Sequence, residues 1–137
     1  MTIINFTKLV TQILECNKIQ YAVVGGCAKS IYQKSISTFD VDILINNTTE
    51  NIAKFLIFME ENFKTKMTLS KIKSCDVVKI KAKPFSLDFH FKLDGVTNKN
   101  IFKNVQLHLI EQHSVQFISE INLIKNLKKV TSKHGIH

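Results

Sequence analysis

Residues 21–45 read YAVVGGCAKSIYQKSISTFDVDILI, from Tyr21 to Ile45. Tyr21-Ala22-Val23-Val24 has the composition of a buried strand, and Gly25-Gly26 marks a strand-to-helix turn. A helix over 27–34 follows, then a second strand over 39–45 that carries Asp40 and Asp42. Side chains two apart on a strand share a face, so both carboxylates converge beside the glycine turn. Backbone N–H groups at such a turn suit phosphate, and paired carboxylates suit a hard divalent cation. The combination predicts a site for a metal-bound nucleoside triphosphate. The plainer alternative is that both aspartates only project from a solvated strand face and that the glycines make an ordinary turn.

Working outward, residues 6–18 place Leu9, Val10, Ile13 and Leu14 at helical spacing. Asn46-Asn47-Thr48-Thr49 reads as a turn and helix cap, and 49–63 as an amphipathic helix. Alternation predicts strands at about 66–71, 75–82 and 86–92, with Lys83-Pro84 separating the last two. Asp94-Gly95 marks a turn. A short helix near 98–103, strands at 105–110 and 114–118, and a final helix over 119–133 capped near Ser119 complete the reading. The expected fold is α+β, one mixed sheet flanked by helices, forming a single domain over 1–137.

With 137 residues and 45% hydrophobic content, the chain is long enough to bury a core. One Pro and four Gly argue against linker-like stretches. No apolar run approaches a bilayer span, and the first residues lack a basic start and cleavage site, so neither membrane insertion nor secretion is expected. Cys16, Cys27 and Cys75 have no metal-ligand spacing and read as reduced, largely buried thiols of a cytoplasmic protein. Cys27, just after the glycines, is placed where a helix N-terminus lowers a thiol pKa. The net charge of +8 permits attraction to nucleotides or nucleic acid. Lys79, Lys81 and Lys83 alternate as on the solvent face of an edge strand.

The assembled pattern resembles the DNA polymerase β-like nucleotidyltransferase superfamily. The matching residues are Val23-Val24, Gly25-Gly26, Thr38, and Asp40-Val41-Asp42-Ile43, with Asp88 in Ser86-Leu87-Asp88-Phe89-His90-Phe91 as third carboxylate. Ala28 makes the GG-x-A form most similar to small stand-alone members that include abortive-infection nucleotidyltransferases. The likeness covers a core of roughly residues 1–92; in the C-terminal strands and helix over 98–137, Leu123-Ile124-Lys125-Asn126-Leu127-Lys128 resembles the closing helix of small members. Where many relatives carry Arg this chain has Ile36, and all 19 of its basic residues are Lys, which lacks the bidentate fork of Arg.

The resemblance implies an NTP substrate, probed first with ATP, and two Mg²⁺ ions, with Mn²⁺ as alternative, held by Asp40, Asp42 and Asp88. It implies nucleotide contacts from Gly25, Gly26, Ser37, Thr38, Lys29 and Lys128. The acceptor hydroxyl is left open among RNA, protein and small molecule. A homodimer or partner protein is expected to complete so short a chain. The other class of function is a weakly active or inactive interaction protein in a toxin–antitoxin or defence pair. Asp76 is the competitor for the third carboxylate, and His90, on the strand face of Asp88, is set aside as structural.

Overall fold

A computed structural model describes residues 1–33, 39–74 and 77–133. The elements in order are α1 (Ile3–Cys16), β1 (Tyr21–Val24), α2 (Gly25–Gln33), β2 (Asp40–Ile45), α3 (Thr49–Phe63), α4 (Leu69–Ser74), β3 (Val77–Ala82), β4 (Phe85–His90), α5 (Asn98–Lys103), β5 (Gln106–Ile110), β6 (His113–Phe117) and α6 (Glu120–Lys133). The six strands form one mixed sheet in the order β3-β4-β2-β1-β6-β5. β1 runs antiparallel to β2 and parallel to β6, while β2 runs parallel to β4. The fold class is α+β with helices flanking a mixed sheet, as the sequence predicts.

Local chemistry explains most of the boundaries. Thr48 caps α3 by accepting from Asn51 N, and Thr97 caps α5 through Asn100 N. Ser119 Oγ accepts from Asn122 N at 3.2 Å at the start of α6. α1 starts earlier than expected because Thr2 supplies a cap, its Oγ1 accepting from Asn5 N at 3.1 Å. α3 ends at Lys64, which takes a left-handed conformation with φ 54°.

One predicted strand is corrected. Residues 69–74 form helix α4, with no strand over 66–71. The alternation of Lys66-Met67-Thr68-Leu69-Ser70-Lys71 is that of a strand, but Thr68 accepts from Lys71 N and caps a helical turn. Within that helix only Ile72 is buried, so the alternation never finds the sheet that would reward it.

The sheet is two-sided, and its two faces do different things. Phe85, Leu87 and Phe89 of β4 share one face. There Phe6 of α1 stacks on Phe85 at 5.2 Å, and Phe55 of α3 meets Phe89 edge-on at 5.0 Å and Phe91 at 5.5 Å. Val41, Ile43 and Ile45 of β2, and Tyr21 and Val23 of β1, continue that core at no more than 1% exposure. The alternate residues of β2 and β4 therefore emerge on the opposite face. Among the described residues, no helix is long and apolar enough to cross a membrane.

Candidate functional site

The register of the central strands assembles the carboxylates. In the parallel β2–β4 pair Asp42 lies opposite Asp88, and Asp40 opposite Ser86. Paired residues point to the same side of a sheet, so Asp40, Asp42 and Asp88 share the face turned away from the phenylalanine core. Asp40 is exposed at the start of β2, Asp42 is half-buried, and Asp88 is buried at 8% exposure.

β1 carries the chain directly into the glycine turn. Val24 pairs with Asp42, which brings the next residue, Gly25, against that carboxylate. Gly25 has φ +63°, and a Cβ there would lie 2.5 Å from Asp42 Oδ2. Only glycine satisfies both demands, the left-handed backbone and the missing Cβ. Helix α2 begins at Gly25 itself, earlier than the sequence suggests, so Gly26 is its second residue. The first N–H groups of a helix lack intrahelical partners, and here they open beside Asp42.

Each of the two facing carboxylates is also engaged by a basic side chain. His90 Nε2 lies 2.9 Å from Asp42 Oδ1. Lys79 of edge strand β3 pairs with Asp88 in register, and its Nζ lies 3.7 Å from Asp88 Oδ2. Ser86 Oγ donates to Asp88 Oδ1 at 3.3 Å. A cleft of about 390 Å³ opens beside Asp42, lined by Gly25, Asp42, Val77, His90, Asn126 and Val130 among others; Asp40, Asp88 and Lys79 are not among its lining residues. α6 is fixed over the cleft by Asn126, whose Nδ2 donates to Asp94 O at 2.8 Å.

Sequence reasoning marked the carboxylates and the glycines, and set aside or passed over His90, Lys79, Asn126 and Val130. His90 has the parity of Asp88, the signal that could have raised it. Lys79 does lie on an edge strand, but it faces Asp88. Lys128 is exposed on α6 and is not among the cleft residues; Asn126 and Val130, four apart, occupy the cleft side. Lys29 is half-buried on α2. Ser37 and Thr38 lie outside the described residues, as do Lys34, Ile36, Cys75 and Asp76.

Cys27 is the free, buried thiol that the plainer reading expects, and a lowered pKa is not met there. Burial pushes its thiol pKa up to about 11, with Asp42 and Asp40 adding to the rise. The thiol lies 3.6 Å from Asp40 O and 4.0 Å from Thr7 Oγ1. Its position next to the glycines therefore does not make it reactive.

A divalent cation can be tested against the residues present. Hard carboxylate oxygens on adjacent strands are the donor chemistry Mg²⁺ takes, and the ammonium of Lys79 already stands against Asp88 as a cation would. Among the described residues, however, no three His, Cys, Asp or Glu side chains are gathered to hold a metal as they stand. The donor set fits in chemistry and in strand position, with Asp42 turned to His90 and Asp88 to Lys79.

No family model matches the sequence, and a search of curated proteins finds no match either. Among solved structures the chain is similar to an antigenic nucleotidyltransferase-like protein from Paracoccidioides brasiliensis. The identity is 15% and the TM-score 0.48, over 85% of this chain and 60% of that one. The chain thus spans about three fifths of the length of the protein it matches.

Proposed function

We propose that this chain is a nucleotidyltransferase that moves a nucleoside monophosphate from an NTP, ATP being the first candidate, to an acceptor hydroxyl on RNA, protein or a small molecule. The observation that carries this reading is the placement of Asp42, opposite Asp88 on one side and against the Gly25 turn on the other. A triphosphate seated on the first N–H groups of α2 would meet the Asp42 carboxylate at close range. Two anions there repel unless a cation lies between them, which favours Mg²⁺ or Mn²⁺ held by Asp40, Asp42 and Asp88.

Divalent ions, when bound, would neutralise charge on the α-phosphate and the departing pyrophosphate. The chain's own residues supply the rest. Gly25 lets phosphate approach the backbone without a Cβ in the way. Asp88, buried between Ser86 and Lys79, would accept the acceptor's hydroxyl proton. The acceptor oxygen forms a bond to the α-phosphorus, the bond to the β-phosphate oxygen breaks, and pyrophosphate leaves with the electron pair. The cleft between β2, β4 and α6, about 390 Å³, is in the size range of small-ligand sites.

The test is transfer of label from α-phosphate-labelled NTPs, with Mg²⁺, to total RNA, to cell protein and to the chain itself. Asp40→Asn with Asp42→Asn should abolish transfer while leaving the melting temperature near wild type. Transfer that persists in that variant contradicts the assignment. A second reading, an inactive interaction protein of a toxin–antitoxin or defence pair, draws on the engagement of Asp42 by His90 and of Asp88 by Lys79. It predicts little or no transfer to any acceptor and capture of a partner protein that does not need Asp40 or Asp42.

A further inference from the structure

We propose that His90 is a positioning residue for Asp42, holding one carboxylate oxygen so that the other faces the Gly25 turn. The inference rests on the nucleotidyltransferase reading and adds to it a residue that touches neither phosphate nor acceptor. The two oxygens of Asp42 have different surroundings. Oδ1 lies 2.9 Å from His90 Nε2, and Oδ2 lies 2.5 Å from where a Gly25 Cβ would be. An ionised carboxylate only accepts hydrogen bonds, so Nε2 is the donor of this pair.

Strand register explains why the two side chains meet. Asp42 faces Asp88 directly, and His90 is the next residue on the same face of β4, opposite Leu44. His90 is therefore a diagonal neighbour of Asp42, within reach of a ring but not of a short side chain. The pair sits in the cleft, with His90 at 22% and Asp42 at 19% side-chain exposure. Lys79, by contrast, is 73% exposed in its contact with Asp88 at 3.7 Å. Water competes strongly for that ammonium and far less for the imidazole. Val77, opposite His90 on β3, also lines the cleft.

A carboxylate without such a partner rotates about its terminal torsion, which is broad. One oxygen tied to His90 leaves Oδ2 presented to whatever cation or phosphate lies over the turn. This is the arrangement in which an outer hydrogen bond tunes a ligand's orientation.

The experiment is Mn²⁺ binding by electron paramagnetic resonance of the full chain, in wild type, His90→Leu and His90→Gln, each with Asp42 intact or as Asp42→Asn. The glutamine amide reaches Oδ1 as Nε2 does; leucine fills the space without a donor. His90→Leu should weaken Mn²⁺ by about tenfold, as loss of an outer partner does elsewhere. His90→Gln should restore binding close to wild type, and in the Asp42→Asn background His90→Leu should change nothing further. If His90→Leu does not fold, His90→Asn, whose amide is too short to reach, takes its place with the same expected loss. Equal losses in the glutamine and leucine variants overturn the inference, as does unchanged or tighter binding in His90→Leu. Wild-type protein that binds no Mn²⁺ overturns the metal reading itself and this inference with it; binding indifferent to His90 overturns this inference alone.

Discussion

Gly25 joins the backbone to the proposed site. Its φ of +63° alone costs a residue with a side chain about 1–2 kcal/mol. The added Cβ must also displace the Asp42 carboxylate, 2.5 Å away. Gly25→Ala should therefore lower stability by at least that amount and abolish nucleotide-dependent stabilisation, readable in one set of melting curves. A Gly25→Ala protein with wild-type nucleotide affinity would remove the glycine from the site. The glycine pair and the aspartate pair were legible as residues, because each is short-range in sequence. That Gly25, by its φ and its distance to Asp42, is the glycine held there was not, since backbone sign and cross-strand distance are products of folding. Cys27 shows the same limit: proximity to a helix start suggests a lowered pKa, and burial together with Asp42 and Asp40 raises it to about 11.

At the scale of elements the site is a matter of strand register. Alternation along β4 is enough by itself to assign Asp88 and His90 to one face and Leu87 and Phe89 to the other. What alternation does not convey is that β4 pairs parallel with β2, so that Asp88 meets Asp42. That pairing spans two helices and the whole of β3, and Phe55 packs α3 against Phe89 and Phe91 beside it. The same long-range pairing sets Lys79 opposite Asp88, where the sequence offered only a solvated edge. The predicted strand over 66–71 failed because alternation without a neighbouring strand has no pairing to make, and the Thr68 cap decided for helix. Capping signals at Thr48 and Ser119 were reliable because they act within one turn. If Lys79 is a counter-ion to Asp88, Lys79→Met should tighten Mn²⁺ by up to about fivefold, the range of an exposed ion pair. Weaker Mn²⁺ binding in that variant would mean that the lysine supports the site instead of competing for it.

At the scale of the molecule, the sheet separates two tasks. One face is closed by α1 and α3 over phenylalanines and is given to stability. The other carries the carboxylates and stays open beneath α6, with Asn126 tied to Asp94 O at the edge of the cleft. The surplus of +8 charge favours anionic ligands generally, so charge alone does not separate a triphosphate site from a nucleic-acid surface. A site that needs Asp42 does separate them. The deciding measurement is the melting temperature of wild type and Asp42→Asn with each NTP, with and without Mg²⁺. Binding at about 100 times Kd stabilises by about 2.7 kcal/mol, and in a chain of this size that raises Tm by roughly 5–15 °C. The account predicts such a rise in wild type only with Mg²⁺ present, and its loss in Asp42→Asn. A rise that survives Asp42→Asn, or none with any nucleotide in wild type, would contradict it.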